Sequence, residues 1–477
     1  MTYRSSSSDP CAFMQRRAYH HALRSHFPSF LRATFHSLNP SQPFIPNWHL
    51  DALHEMIRYM DATPASRFIV NMPPRSLKSL ALTVAWSAYL LGRDPATKII
   101  TASYSSAISI KHALDVRSLV TQPWFMHAFS DFQMMAGQNE KHKFVTTKHG
   151  FRLATSVGGS LTGEGGDVII IDDPLNPAQA HSVHYRHRAN QWFDHTLSSR
   201  LNDKHQGRML LVMQRLHEDD LTGHLLHKGG WECVRLPALA QQPLSIAIGD
   251  WRKEMAAGEL LQPKRETHAL LEQLRRDLGS HAFQAQYLQQ PTAQDGDVVR
   301  QEWLHEVSIM PDTFDYTLQS WDTAIKTGEQ HDYSACVTIG VLAGMMYIRD
   351  VWAGRVDYPE LKRAVLALAH RWKPNVVLIE DKASGQSLLQ ELRTEPSLTL
   401  IPIQPKGDKL TRVARITPML EAAHVLFPRH ASWMPALRDE LLRFPHASHD
   451  DQVDALAQGV HWWRERHAAM QPSIRTL

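Results

Sequence analysis

The sequence predicts an α/β protein of two domains: a doubly wound sheet in the first half and a smaller α/β domain in the second. Three observations carry this. At 477 residues the chain is too long for one ordinary core. Residues 67–236 alternate helical patterns with short, near-continuous apolar runs, as strands buried on both faces of a parallel sheet do. From Tyr316 three strand-like runs follow one another, and then helix and strand alternate again.

The chain opens with "MTYRSSSSDPCAFMQRRAYHHALRSHF", which carries Arg4, Arg16, Arg17 and Arg24 against one acid, Asp9. It has no apolar h-region, so no signal peptide is expected. Residues 1–43 read as a poorly ordered arm or, alternatively, a partner-binding one. The first domain, 44–240, has its strands at "RFIVN", "KIITAS", "DVIIID", "GRMLLVM" and "WECVRL". Residues 241–312 are Gln-, Pro- and Gly-containing, with an amphipathic stretch at 267–288, and read as a connector. The second domain, 313–477, runs "YTLQSW", "SACVTIGV", "MMYIRDVW", a helix near 358–372, "NVVLIE", a helix near 384–394, "LTLIPI", then helices.

Composition excludes several classes. Hydrophobic content of 43% and charged content of 21% are those of a soluble globular protein. A net charge of +3 leaves nucleic-acid contact to local basic patches. The 29 histidines form no HExxH or paired Cys/His spacing, so no zinc site is expected. Cys11, Cys233 and Cys336 lie far apart, which argues against a disulfide framework and suits a reducing cytoplasm. No apolar stretch approaches the ~20 residues of a membrane span.

Two sites emerge. "NMPPRSLKS" (71–79) follows the strand "RFIVN" and opens a helix that stops at Gly92. Against G-x-x-x-x-G-K-[ST] it puts Met72 and Leu77 on the glycine positions, so the strict pattern fails while its context holds. Phosphate binding needs backbone N–H groups at a helix start, a cation and a hydroxyl for Mg²⁺. Lys78 and Ser79 supply the last two, and Arg75 adds a cation placed to reach a γ-phosphate. A plain helix start is the other reading. "DVIIIDDP" ends a strand in Asp172 and Asp173. One such acid holds the shell of Mg²⁺ while its neighbour orients water; good turn chemistry is the alternative. The pair of signals in one domain points to ATP hydrolysis.

In the second half, "SWDTAIKTG" places Asp322 at a strand end, and "VVLIEDKASG" places Glu380 at another. "SHDDQVDALAQGV" places Asp450, Asp451 and Asp454 at a helix start. Acids so placed can converge at one sheet edge and hold two divalent ions ~4 Å apart for phosphodiester cleavage. The order βββαβαβα with acids at these points is that of the RNase H-like fold. Each acid alone also reads as a cap or turn. Lys382, Lys406, Lys409 and Arg412 would suit contacts to the DNA backbone.

With both sites in view, the chain resembles the large terminase subunit of tailed bacteriophages over roughly residues 44–465. The carriers are "PFIPNWHLDAL", "NMPPRSLKS", "SLTGEGGDVIIIDDP", "MQRLHEDDLTG", "QAQYLQQP", "QSWDTAIKTGEQHDYSA", "VLIEDKASGQSLLQEL" and "HDDQVDALAQ", in that order. The resemblance implies a P-loop (ASCE-type) ATPase domain followed by an RNase H-like nuclease domain. It implies that Lys78 and Ser79 bind the phosphates and Mg²⁺ of ATP and that Arg75 acts within the loop. Asp172 becomes the metal-side acid, and Asp173 takes the catalytic carboxylate's place. "MQRLHEDDLTG" becomes the coupling segment with Arg215 as sensor, and Trp48 and His49 lie against the adenine. Asp322, Glu380 and Asp451 become the acids that bind Mg²⁺ or Mn²⁺, with Asp450 a close competitor and Asp454 behind it. Expected partners are double-stranded DNA, the portal protein of the prohead and a small terminase subunit, with a homo-oligomeric ring on the portal and no membrane. The expected place is the bacterial host cytoplasm and, transiently, the portal. Relatives commonly carry an arginine where this chain has Glu164; either Arg152 or Arg200 replaces it toward a neighbouring subunit, or that role is lost. The rival readings are a repair nuclease-helicase and a degenerate prophage DNA-binding protein without motor activity.

Overall fold

The computed structural model describes residues 10–291, 298–323, 333–381, 383–393, 395, 398–405, 407–447 and 449–470. The chain separates into two compact units, Met1–Gln273 with His281–Thr292 and Leu274–Ser280 with Ala293–Leu477. Lys382 and Lys406 lie outside the described residues.

In the first unit an eight-stranded sheet runs in the order Met134–Asn139, Lys143–Thr146, Phe151–Ser156, Lys98–Ser103, Val168–Asp172, Arg208–Met213, Arg67–Asn71, Glu232–Arg235. From Phe151–Ser156 onward every pairing is parallel. Successive residues of a strand feed opposite faces. Ile99 joins a core under helices Phe27–Leu38, Trp48–Ala62 and Ser106–Val120, and Ile100 joins one on the other face with Trp192, Phe193 and Leu225. The doubly wound sheet expected from the apolar runs is therefore present. The three strands between 134 and 156 gave no such run, because they include short, partly polar antiparallel edge strands.

Two sequence-based expectations meet a different structure. Residues 10–38, expected as part of a poorly ordered arm, form helices Pro10–Ser25 and Phe27–Leu38. Leu23, Phe27, Phe30 and Leu31 recur at helical spacing and are fully buried, and Phe30 packs on Tyr89 at 5.2 Å. Their apolar stripe outweighs exposed charges such as Arg17 and Arg24, which made the segment look solvated. The start of the expected connector is also structured. Strands Leu244–Ile248 and Trp251–Met255 form a hairpin whose Ile246, Ile248 and Met255 enter the first core.

The second unit holds a seven-stranded sheet in the order His305–Val307, Val425–Pro428, Met345–Gly354, Ser334–Leu342, Tyr316–Asp322, Val376–Glu380, Leu400–Ile403. Its first three long strands are antiparallel neighbours, and Val376–Glu380 then pairs parallel with Tyr316–Asp322. This is the RNase H-like order read from the sequence. Helix Asp451–Met470 crosses the sheet at Gly459, where a Cβ would stand 2.9 Å from Ile339 and 3.1 Å from Ser320. The absent side chain lets the helix start lie close to the strand ends.

Candidate active sites

The first site lies at the carboxyl ends of the parallel strands, where α/β sheets take ligands. Strand Arg67–Asn71 runs into the loop 72–78, and the following helix opens as a π-helical stretch, Ser79–Ala85, before continuing as Trp86–Arg93. Leu77, on the second glycine position, sits at φ 65°, and Arg75 at φ 62°. The left-handed backbone that glycine normally supplies is thus present without glycine, at a steric cost of order 1–3 kcal/mol per residue. Leu77 recovers part of that cost by packing against the core. Braces hold the loop from several sides. His49 Nε2 lies 3.2 Å from the Ser76 carbonyl, Ser76 Oγ donates to the Pro73 carbonyl at 2.6 Å, and Arg265 donates to the Arg75 carbonyl at 3.2 Å.

The acids of strand Val168–Asp172 meet this loop. Ser79 Oγ donates to Asp172 Oδ1 at 3.0 Å and Thr83 Oγ1 to Asp172 Oδ2 at 2.8 Å. Lys78 Nζ pairs with Asp173 Oδ2 at 3.0 Å, while Asp173 Oδ1 accepts from the Gln214 amide at 3.1 Å. Asp173 itself sits at φ 42°. Burial pushes both carboxyls above the usual range, and Lys78 opposes it. Lys78, Ser79, Asp172 and Asp173 are thus brought together, and the Arg75 side chain is exposed beside them in sequence. A lysine and a hydroxyl at a helix start, facing buried carboxylates, form a donor set that fits a nucleotide phosphate with a divalent ion.

Of the other residues expected here, His49 braces the loop through Ser76, and Arg215 follows Gln214, whose amide meets Asp173. Arg215 is buried, its Nε on both oxygens of Asp220 at 3.0–3.1 Å, and Nη2 donates to the His217 and Glu218 carbonyls. Asp220 also caps helix Leu221–Lys228 through the Gly223 amide. Trp48 stacks on Trp251 at 6.5 Å and carries Lys253 over its ring at 5.5 Å. His49 is 1% exposed, and burial lowers its pKa to about 4. Sequence reasoning missed Thr83, whose signal was its place one helical turn after Ser79, and His112, whose Nδ1 is 3.6 Å from Asp172 Oδ2. Glu164 pairs with Lys143 at 2.6 Å. Arg152 is fully buried, and burial lowers its pKa to about 9. Arg200 donates to the Thr196 and Leu161 carbonyls.

The second site is built at one sheet edge. Trp321 pairs with Ile379 across parallel strands, so Asp322 and Glu380 leave the sheet side by side. Gly385 lets the chain fold back here, since a Cβ would meet the Glu380 carbonyl at 1.8 Å. Burial, then the charges of Glu380, Asp454 and Asp451, raise the Asp322 carboxyl well above the usual range. Burial and Asp450 raise Asp451. Asp450 and Asp454 are engaged by cations: Lys409 reaches Asp450 at 2.6 Å, and Arg412 reaches Asp454 at 2.7 Å. Those two cations, expected to face DNA, are thus paired within the site. Among the described residues no three His, Cys, Asp or Glu side chains already form a metal-ligand set. Carboxylates that repel one another at a buried edge nevertheless have the chemistry a divalent cation requires. Glu440 was not anticipated. It accepts from the amide and side chain of Gln452 at 3.2 and 2.6 Å, fixing the helix turn that carries Asp451, and burial raises its pKa to about 7. A lone acid on an amphipathic helix gives no signal for that role.

Residues 319–461 match the family model of the terminase RNaseH-like domain. No curated protein matches the sequence of the chain. Among solved structures, the large terminase from a thermophilic bacteriophage is similar at 12% identity and TM-score 0.52, covering 88% of this chain and 99% of that one. The same phage protein in complex with ATP-γ-S is similar at 11% identity and TM-score 0.50, over 85% and 98%. No helix among the described residues is long and apolar enough to cross a membrane.

Proposed function

From a chain with the fold of large terminase subunits and a terminase RNase H-like domain, we propose an ATP-driven motor that packages viral double-stranded DNA, joined to a metal-dependent endonuclease that cuts the concatemer. The observation that carries the reading is that one chain holds both constellations: Lys78 and Ser79 on Asp173 and Asp172, and Asp322 beside Glu380.

In the first site Lys78 is now neutralised by Asp173. A β/γ-phosphate competes for Lys78 and releases Asp173, whose Oδ2 then accepts a proton from the attacking water. The water oxygen bonds phosphorus, the β–γ bridge breaks, and ADP leaves with the electron pair. Arg75 stabilises the charge that develops on the transferred group. Ser79 and Asp172 would hold the divalent ion here, and Asp322, Glu380 and Asp451 in the nuclease, with Asp450 in reserve. When bound, such ions supply charge neutralisation and an activated water. The expected partners are double-stranded DNA, a portal and a small subunit in the host cytoplasm.

Glu164 favours a second reading. Its pair with Lys143, together with the burial of Arg152 and the main-chain bonds of Arg200, engages both arginines expected to serve a neighbouring subunit in its place. A chain that binds ATP and cuts DNA without processive packaging fits that arrangement. The nuclease half is tested on the full chain, with duplex DNA, Mg²⁺ or Mn²⁺ and no ATP. Asp322→Ala is expected to slow cutting at least ~10³-fold. Cutting that survives both Asp322→Ala and Glu380→Ala removes the assignment. ATP-driven DNA uptake into portal-bearing proheads separates the motor reading from its rival.

A further inference from the structure

We propose that the cavity beside Glu380 is a pocket for one unpaired nucleotide of the strand being cut, with its base held against Trp462. This rests on the nuclease reading above. The cavity measures about 350 Å³ and lies between strand Leu400–Ile403, with the loop after it, and helix Asp451–Met470. Ligand pockets span roughly 300–1,000 Å³. This one suits a single nucleotide.

Its lining is amphiphilic in the way a nucleotide is. Trp462, Ile403 and Pro405 give an aromatic and apolar side, and Gln404 and Arg415 add an amide and a guanidinium. Trp462 is half-buried, stacked against Tyr316 at 6.5 Å and 28° and overlain by the exposed guanidinium of Arg466 at 5.3 Å, which a base would displace. Arg412 also lines the cavity, and its charge is spent on Asp454 at 2.7 Å. Glu465 at the rim is paired with His461 Nε2 at 3.3 Å. A bare phosphate would waste the apolar side, and a wholly apolar ligand would offer nothing to the polar groups of the lining. A nucleotide fits both sides: its base lies toward Trp462 and Gln404, and its phosphate toward Arg415, beside the Glu380 end where the bond is cut. Base–aromatic contact of this kind is worth on the order of ten- to a hundredfold in affinity. The duplex must then release one base from its stack at the cut, which is easiest at mismatched or already opened steps.

Saturation-transfer NMR on the full chain tests this with dTMP, and with 2-deoxyribose 5-phosphate as the ligand lacking a base. The thymine methyl and H6 protons should receive the strongest saturation, and the base-less ligand should bind at least ~tenfold more weakly. Trp462→Ala and Gln404→Ala should each weaken dTMP about tenfold, and Trp462→Phe should hold it within a few-fold, which separates a lost contact from a lost fold. Binding at the phosphate loop would be indifferent to Trp462. Equal binding of the two ligands, or dTMP binding unchanged in Trp462→Ala, overturns the pocket. Cleavage of duplex DNA with Mn²⁺ by the same proteins is the separate arm. Trp462-dependent binding in a chain that does not cut keeps a nucleotide pocket but removes the nuclease reading and, with it, the assignment of the occupant to a strand being cut. Cutting without Trp462-dependent binding does the reverse.

Discussion

At Leu77 a branched side chain occupies the left-handed backbone that a phosphate loop usually gives to glycine, at φ 65°. The loop keeps the conformation because its carbonyls at Arg75 and Ser76 are held by Arg265 and His49. With no glycine to let the backbone close on the phosphates, the side-chain cations carry more of the binding. Lys78→Ala should therefore weaken nucleotide binding and abolish turnover. Arg75→Ala should leave binding within a few-fold and slow hydrolysis by ~10²–10⁵, the range of arginine fingers and preorganised donors. Nucleotide titration with single-turnover hydrolysis separates the two roles. An Arg75→Ala protein that hydrolyses ATP at the parent rate makes Arg75 a structural loop residue. His49 adds a pH dependence. Its folded pKa of about 4 lies below the ordinary 6.5, so between those values the unfolded chain binds the extra proton. Its contribution is complete above pH 6.5 and is lost as pH falls toward 4. His49→Gln should narrow the stability difference between pH 7 and 4.5 by roughly 2–3 kcal/mol in urea titrations. An unchanged difference would mean that His49 is not kept neutral by the fold.

Helix Leu221–Lys228 shows how far an element can be read before its packing is known. The motif "MQRLHEDDLTG" marks Arg215 as a residue with a task, and the spacing leaves open whether it faces a nucleotide or the protein. In the fold it lies on the buried carboxylate of Asp220, which caps that helix. Arg215→Ala should destabilise the first unit by ~3–5 kcal/mol, because it strands a buried charge. Arg215→Ala with Asp220→Ala should cost less than Arg215→Ala alone. A single variant with parent stability and lost hydrolysis would return Arg215 to sensing. The same boundary runs through the rest of the chain. Apolar runs such as "DVIIID" announce strands because both faces are buried, and motif acids lie at their ends, so Asp172, Asp322 and Glu380 were visible. The packing of Phe27 and Phe30 on Tyr89, the brace of His49 on Ser76 and the hold of Glu440 on Gln452 arise from contacts between separate segments. No local pattern encodes those. Lys409 and Arg412 show the converse. As isolated basic residues they look free to meet DNA, and the fold spends them on Asp450 and Asp454.

For the whole molecule, the residues assigned to each constellation belong to one compact unit: Lys78 to Asp173 to the first, Asp322 to Asp451 to the second. The two chemistries should therefore be separable by single substitutions in the intact chain. That separability is the central claim, and it is tested most directly by assaying four full-length proteins side by side: the parent, Lys78→Ala, Asp322→Ala and the double variant. Each is given ATP for single-turnover hydrolysis and, separately, duplex DNA with Mn²⁺ and no ATP. The account predicts that Lys78→Ala loses hydrolysis and cuts DNA within a few-fold of the parent, that Asp322→Ala does the opposite with a loss of at least ~10³-fold in cutting, and that the double variant loses both. A Lys78→Ala protein that no longer cuts, or an Asp322→Ala protein that cuts at the parent rate, would contradict it.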